Sequence, residues 1–149
     1  MRWVLRRLRL RGDDGQVTLL VIGFAATAML LVGVVTDASA VFLARRALMG
    51  AADGAAVAAA NAVDERVVYA GELGRELPLS AEGVRAAAAE HLAAGGGDLA
   101  PVLLEASTDG TTATVVVGAR VDLRFGGALP GAWRSVELTA TASARSPVG

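Results

Sequence analysis

The sequence contains no cysteine, which removes disulfides, thiol nucleophiles and cysteine-ligated metals together. Histidine occurs once, at His91, and no second ligand stands at a useful spacing from it, so it reads as a solvated helix residue. Lysine is missing too: all 14 basic residues are arginine, without the lysine or aromatic interleaving of a nucleic-acid surface. Arg45-Arg46 has Asp37 and Asp53 nearby and reads as ordinary helix solvation. The serines and threonines fall on wet strand positions or in an apolar run, so no nucleophile and base can be assembled. Gly95–Gly97 closes a helix instead of following a strand and opening one, which is the wrong place for a phosphate loop. No catalytic, cofactor-binding or metal residue is therefore expected, no cofactor, no nucleic-acid partner and no small-molecule substrate. The chain is not expected to be an enzyme.

What is abundant is apolar. Hydrophobic residues make up 54 % of the chain and only 4 % is aromatic, so the excess lies in Ala, Val and Leu. Charge is distributed unevenly. Residues 1–16 hold five Arg against two Asp, whereas residues 37–149 hold nine Arg against 13 acids. Between these regions, residues 15–36 carry no charge, and Val17–Val35 is almost wholly apolar. At about 1.5 Å per residue, some 20 helical residues cross a hydrocarbon core of about 30 Å. The arginine-dense flank tends to stay in the cytoplasm. The expectation is a single-pass membrane protein with a cytoplasmic leader over 1–16, a transmembrane helix over 17–36, and everything beyond it extracytoplasmic. Membrane lipid is thus its first partner. A cleaved secretory signal is the alternative, because Ala38-Ser39-Ala40 imitates an A-x-A cleavage pattern. Against cleavage, the apolar run exceeds the usual h-region and the sequence beyond it continues as a helix.

From Asp37 to Val63 alanine dominates and proline is absent, so the helix is expected to continue outside the membrane over 37–65. Val41, Leu48, Ala51, Ala55, Ala59 and Ala62 fall near one stripe, and Gly50 and Gly54 are points where the helix can bend. Asp37, at the outer end of the apolar run, reads as an interfacial acid or as a partner for a neighbouring subunit's arginine.

The remaining 66–149 is read as a small α+β head. Residues 64–79 form a loop. A helix over 81–94 is capped by Ser80 and ended by Gly95–Gly97, with Val84, Ala87, Ala88 and Leu92 as its buried stripe. Strands follow at about 102–107, 112–125 and 135–145, the first two joined through Asp109-Gly110, a tight-hairpin signal. In the second strand Val115, Val117, Ala119, Val121, Leu123 and Phe125 share one face. In the third, Val136, Leu138, Ala140, Ala142 and Ala144 do. Period two over these lengths means a sheet with one covered face and one wet face. Residues 126–134 form a wider connection in which Trp133 is expected to pack over the sheet edge. The fold class is α+β: a long transmembrane helix continuing outside the membrane, a second helix and a small antiparallel sheet of about three strands, pilin-like in outline.

One block is more specific. Gly15-Gln16-Val17, the apolar run, Asp37, Leu43-Ala44-Arg45-Arg46 and the Ala-Ala-Asp-rich stretch 51–60 follow one another at fixed distances. This order resembles the N-terminal region of TadG-like (TadE/TadG-like) proteins of the tight-adherence (Flp) pilus system. The family's usual Asp-Val-Gly or Asp-Leu-Gly is Asp37-Ala38-Ser39 here. The resemblance implies a membrane-anchored, pilin-like structural or assembly component that works with other pilus or secretion-system subunits through its long helix. Prepilin peptidases cut after a glycine that precedes the apolar run, usually with a glutamate five residues on. The fifth residue after Gly12 is Val17 and after Gly15 is Leu20. The leader is therefore expected to remain, and the role to be that of a minor component. A stand-alone anchored or secreted domain binding an envelope ligand is the alternative function.

Overall fold

A computed structural model describes residues 14–62, 79–95, 99–128 and 134–146. Most of the leader, most of the 64–79 loop and Trp133 lie outside the described residues. The chain forms helix α1 (Asp14–Ala60), helix α2 (Ala81–Ala94) and strands β1 (Val102–Thr108), β2 (Thr112–Asp122) and β3 (Ser135–Arg145). A single 3-10 turn, Gly126–Ala128, lies between β2 and β3. The strands make one antiparallel sheet in the order β1-β2-β3. This is the expected α+β fold.

At 47 residues α1 is about 70 Å long. It runs unbroken through Ala38-Ser39-Ala40, begins three residues before Val17, and gives way after Ala60 to a last turn in which Asn61 N–H donates to the Val57 carbonyl. Its two halves live in different surroundings. Between Val17 and Val35, twelve large apolar side chains are each more than half exposed. From Leu48 onward the helix turns one face into the head, and Leu48, Ala52, Ala55, Ala56, Ala59 and Ala60 are buried. Alanine at these positions gives high helix propensity and lets the sheet approach closely. Within the exposed run, Thr27, Thr36 and Ser39 each donate to the carbonyl four residues back, at 2.8 Å, so these hydroxyls do not stand unpaired among apolar neighbours.

The sheet follows its period-two pattern. Ala113, Val115, Val117 and Ala119 of β2 are buried opposite Ala144, Ala142, Ala140 and Leu138 of β3. They pack on the outer half of α1, while α2 covers β1 and contributes Val84, Ala88 and Leu92 to the same core. Among the described residues no polar or charged side chain is buried, so this small core is held by apolar packing alone. Ser80 caps α2 by accepting from Gly83 N–H at 3.1 Å, and Gly95 closes it by donating to the His91 carbonyl.

The hairpin turn shows why Asp-Gly stands there. Gly110 has φ +97, a conformation that other residues rarely adopt. The Asp109 carboxylate accepts from the Thr111 and Thr112 N–H groups and from the Thr111 hydroxyl, and these bonds hold its pKa below the ordinary aspartate value.

Two local features depart from a regular reading. Leu104 is an extra residue in β1: the pairing shifts between Leu103 and Glu105, which returns both Leu103 and Ala106 to the core side and leaves Leu104 on the outer face against Gly118. The second concerns Gly54, which has the imidazole of His91 lying where a Cβ would be. His91 is exposed, as expected, but its ring rests on a position of α1 that carries no side chain.

Because an exposed imidazole can swing away, Gly54→Ala is expected to be nearly neutral. Glycine costs a helix up to about 1 kcal/mol relative to alanine, so the same change made in a His91→Ala background should stabilise by about 0.5–1 kcal/mol. Thermal unfolding of the detergent-solubilised chain measures both effects. Equal effects in the two backgrounds would show that the imidazole is not what the glycine accommodates.

Candidate functional site: the junction of stem and head

Where the exposed half of α1 becomes the half that carries the head, Asp37 points at the segment leaving β2. Its carboxylate accepts from Arg124 N–H at 2.9 Å, from Phe125 N–H at 3.2 and 3.1 Å through its two oxygens, and from Gly126 N–H at 2.6 Å. Three successive backbone donors thus converge on one carboxylate, the arrangement that backbone nests use to hold anions. The acid expected to be interfacial, or to meet a neighbour's arginine, is tied to the head of its own chain.

The same contact explains a correction. The strand expected over 112–125 ends at Asp122. Leu123 N–H still donates across to the Arg134 carbonyl at 2.8 Å, but the next three amides turn out of the sheet towards Asp37. Phe125, expected on the core face with Val121, leaves that face altogether. It lies on α1 one turn before Asp37, where a Cβ on Gly33 would sit 3.3 Å from its Cβ and Cγ. Gly33 is buried under it among exposed neighbours. Residues 33 and 37 are one helical turn apart, so the glycine that admits the ring and the acid that holds the loop act on one face.

Beside Phe125 runs an open groove of about 730 Å³, walled by α1 residues such as Met29, Leu30, Gly33 and Val34, with Gly126 at its end. Asp37 is the one acidic lining residue among the described residues. Among the described residues no group of three or more His, Cys, Asp or Glu is placed to hold a metal ion. The junction is built to join two parts of the chain.

Asp37→Ala is expected to free the loop. Hydrogen bonds to a charged acceptor contribute roughly 1.5–3 kcal/mol each when well shielded; at this half-exposed carboxylate the set should contribute about 2–3 kcal/mol of docking. Hydrogen exchange at the 124–126 amides should then rise while Val115 and Val117 stay protected, with Asp37→Asn intermediate because it keeps one oxygen. Unchanged exchange at 124–126 in the alanine variant would mean that the carboxylate does not hold the loop.

A long helix, apolar and exposed over its first half, with a small α+β head seated on its second half, defines a stem-and-head architecture. α1 is long and apolar enough to cross a membrane. Residues 15–62 match the family model of putative Flp pilus-assembly TadE/G-like proteins, a match confined to the stem and covering about a third of the chain, and over that segment the chain is similar to this family. No curated protein and no solved structure matches it. Asp37 and Gly33 lie inside the matched segment, whereas Arg124, Phe125 and Gly126 lie outside it.

Proposed function

We propose that the protein is a membrane-anchored, minor pilin-like structural or assembly component of a tight-adherence type pilus or secretion apparatus. The observation that carries this is the division of α1: twelve large apolar side chains stand exposed in its first half, and its second half is the floor of the head's core. In water such a first half would be an aggregation surface, whereas in a bilayer it is solvated by lipid. The TadE/G-like stem supports a place among other pilus subunits, which the protein would meet through the exposed outer part of α1, where Phe42, Leu43 and Val57 remain uncovered. The role is structural and not catalytic. Its N-terminus is cytoplasmic and its head extracytoplasmic, in keeping with the five arginines that precede the uncharged span.

Two measurements test it. Reporter fusions at Gly149 should behave as exported, and an active cytoplasmic reporter there would refute the orientation. Cross-linking in native membranes followed by purification should recover other pilus or secretion-system subunits. Recovery of the chain alone, at every cross-linker length, would refute the assembly role.

A further inference from the structure

We propose that the loop after β2 is a second membrane-contacting element, held at a fixed depth by Asp37 and seating the Phe125 ring in the outer leaflet beside α1, an inference that rests on the anchored-helix reading above. The bilayer is the occupant because of where the loop is fastened. Phe125 lies against Gly33, inside the uncharged run of residues 15–36 and not beyond its end. If that run ends at Thr36, Gly33 lies about 4–5 Å within it along the helix axis. Half of the Phe125 side chain remains exposed, and the groove beside it is walled by the same helix face that the bilayer must solvate. Whatever surrounds Met29 and Leu30 is therefore continuous with what surrounds the free side of Phe125.

The neighbouring residues suit the boundary. Arg124 and Arg134 are exposed on either side of this turn, and they balance exposed Asp122 at the end of β2 and the Asp37 carboxylate, so the charges where headgroups would lie are two of each sign. Arginine can keep its stem in apolar surroundings while its guanidinium reaches the headgroups. Three of the backbone donors that the loop would otherwise carry into an apolar layer are already bonded: the amides of Arg124, Phe125 and Gly126 all donate to Asp37. Backbone donors left without partners are what keeps loops out of lipid, and here the helix itself supplies the acceptor.

The absence of cysteine makes the test direct. Single-cysteine variants of the full chain are made at four positions: Met29→Cys in the span, Phe125→Cys, Gly127→Cys with Phe125 intact, and Thr139→Cys on the wet face of the sheet. Each is labelled with an environment-sensitive fluorophore and reconstituted into phosphatidylcholine vesicles with and without lipid spin-labelled in its acyl chains. Emission is expected to fall at 125 and 127 as it does at 29, and to be unaffected at 139. Quenching at 29 with bright probes at both 125 and 127 overturns the proposal, whether water or a second copy of the chain takes the place of lipid, and leaves the anchor standing. Equal quenching at 139 also overturns it, because the whole head and not this loop would then lie on the membrane. A bright probe at 29 refutes the anchor on which the inference rests.

Discussion

Leu31→Arg is expected to stop the chain from entering the membrane stably. Leu31 is 65 % exposed and lies within the apolar half of α1, on no surface that the head covers. An arginine near the centre of a span costs about 2.5–3.5 kcal/mol on the insertion scale. Val116→Thr is the matched control. Val116 is half-buried on the outer face of the sheet, between Glu105 and Thr141, where a hydroxyl can reach water. Alkaline carbonate should release the arginine variant from membranes and leave the threonine variant in place. Retention of both to the same degree would mean that the span is misplaced.

The second large effect is expected inside the head. Val117 is fully buried on the core face of β2, its backbone paired with Leu103 and Ala140. Aspartate there would be an unpaired charge in a core that buries no other polar side chain among the described residues. Such a group costs several kcal/mol even when it protonates, comparable with the roughly 5–15 kcal/mol that holds a typical domain together. Val117→Asp should therefore unfold the head while leaving the apolar half of α1 in the membrane. Limited proteolysis of membrane-bound protein shows it: the head should be degraded to a membrane-embedded fragment, whereas Thr139→Asp, on the exposed face, should resist as the parent does. A protease-resistant Val117→Asp head would mean that the sheet faces are assigned the wrong way round.

The two variants separate what was legible in the sequence from what was not. The run from Val17 to Val35, the alternation in 112–122 and 135–145, and the Asp109-Gly110 turn are local patterns, and each specifies its element without help from the rest of the chain. The junction is different. Asp37 and its three donors are 87 to 89 residues apart, and the donors are backbone groups that carry no signature of residue type. An isolated acid after an apolar run reads as interfacial or as a partner for a neighbour's arginine, and neither reading points to the main chain of a distant turn. Period two could be followed past Asp122 in the sequence because Leu123 and Phe125 keep the alternation, yet the strand stops where its amides are drawn to the carboxylate. Gly54 reads in the sequence as a point where α1 can bend, and the His91 ring that lies at its Cβ position comes from a distant helix that no local pattern announces. The Leu104 bulge was hidden because Val102, Leu103 and Leu104 are all apolar, and nothing in that run says which residue is the extra one.

Fastening the head through main-chain donors has a consequence for which substitutions the junction will accept. A carboxylate that grips amides is indifferent to the side chains those amides bear, so residues 124 and 126 can change freely as long as neither becomes proline. Position 37 has no such freedom: serine is too short and glutamate a methylene too long for the same three contacts. Gly33 is constrained for a separate reason, since a Cβ there would sit 3.3 Å from the ring above it, which would have to give by a few tenths of an ångström. The attachment is therefore specified almost entirely from the stem side. A library randomised at positions 124 and 126 should yield folded, docked proteins in abundance, and one randomised at 33 and 37 should return aspartate at 37 and small residues at 33. Heads of quite different surface chemistry could in this way be seated on one stem without redesigning the joint.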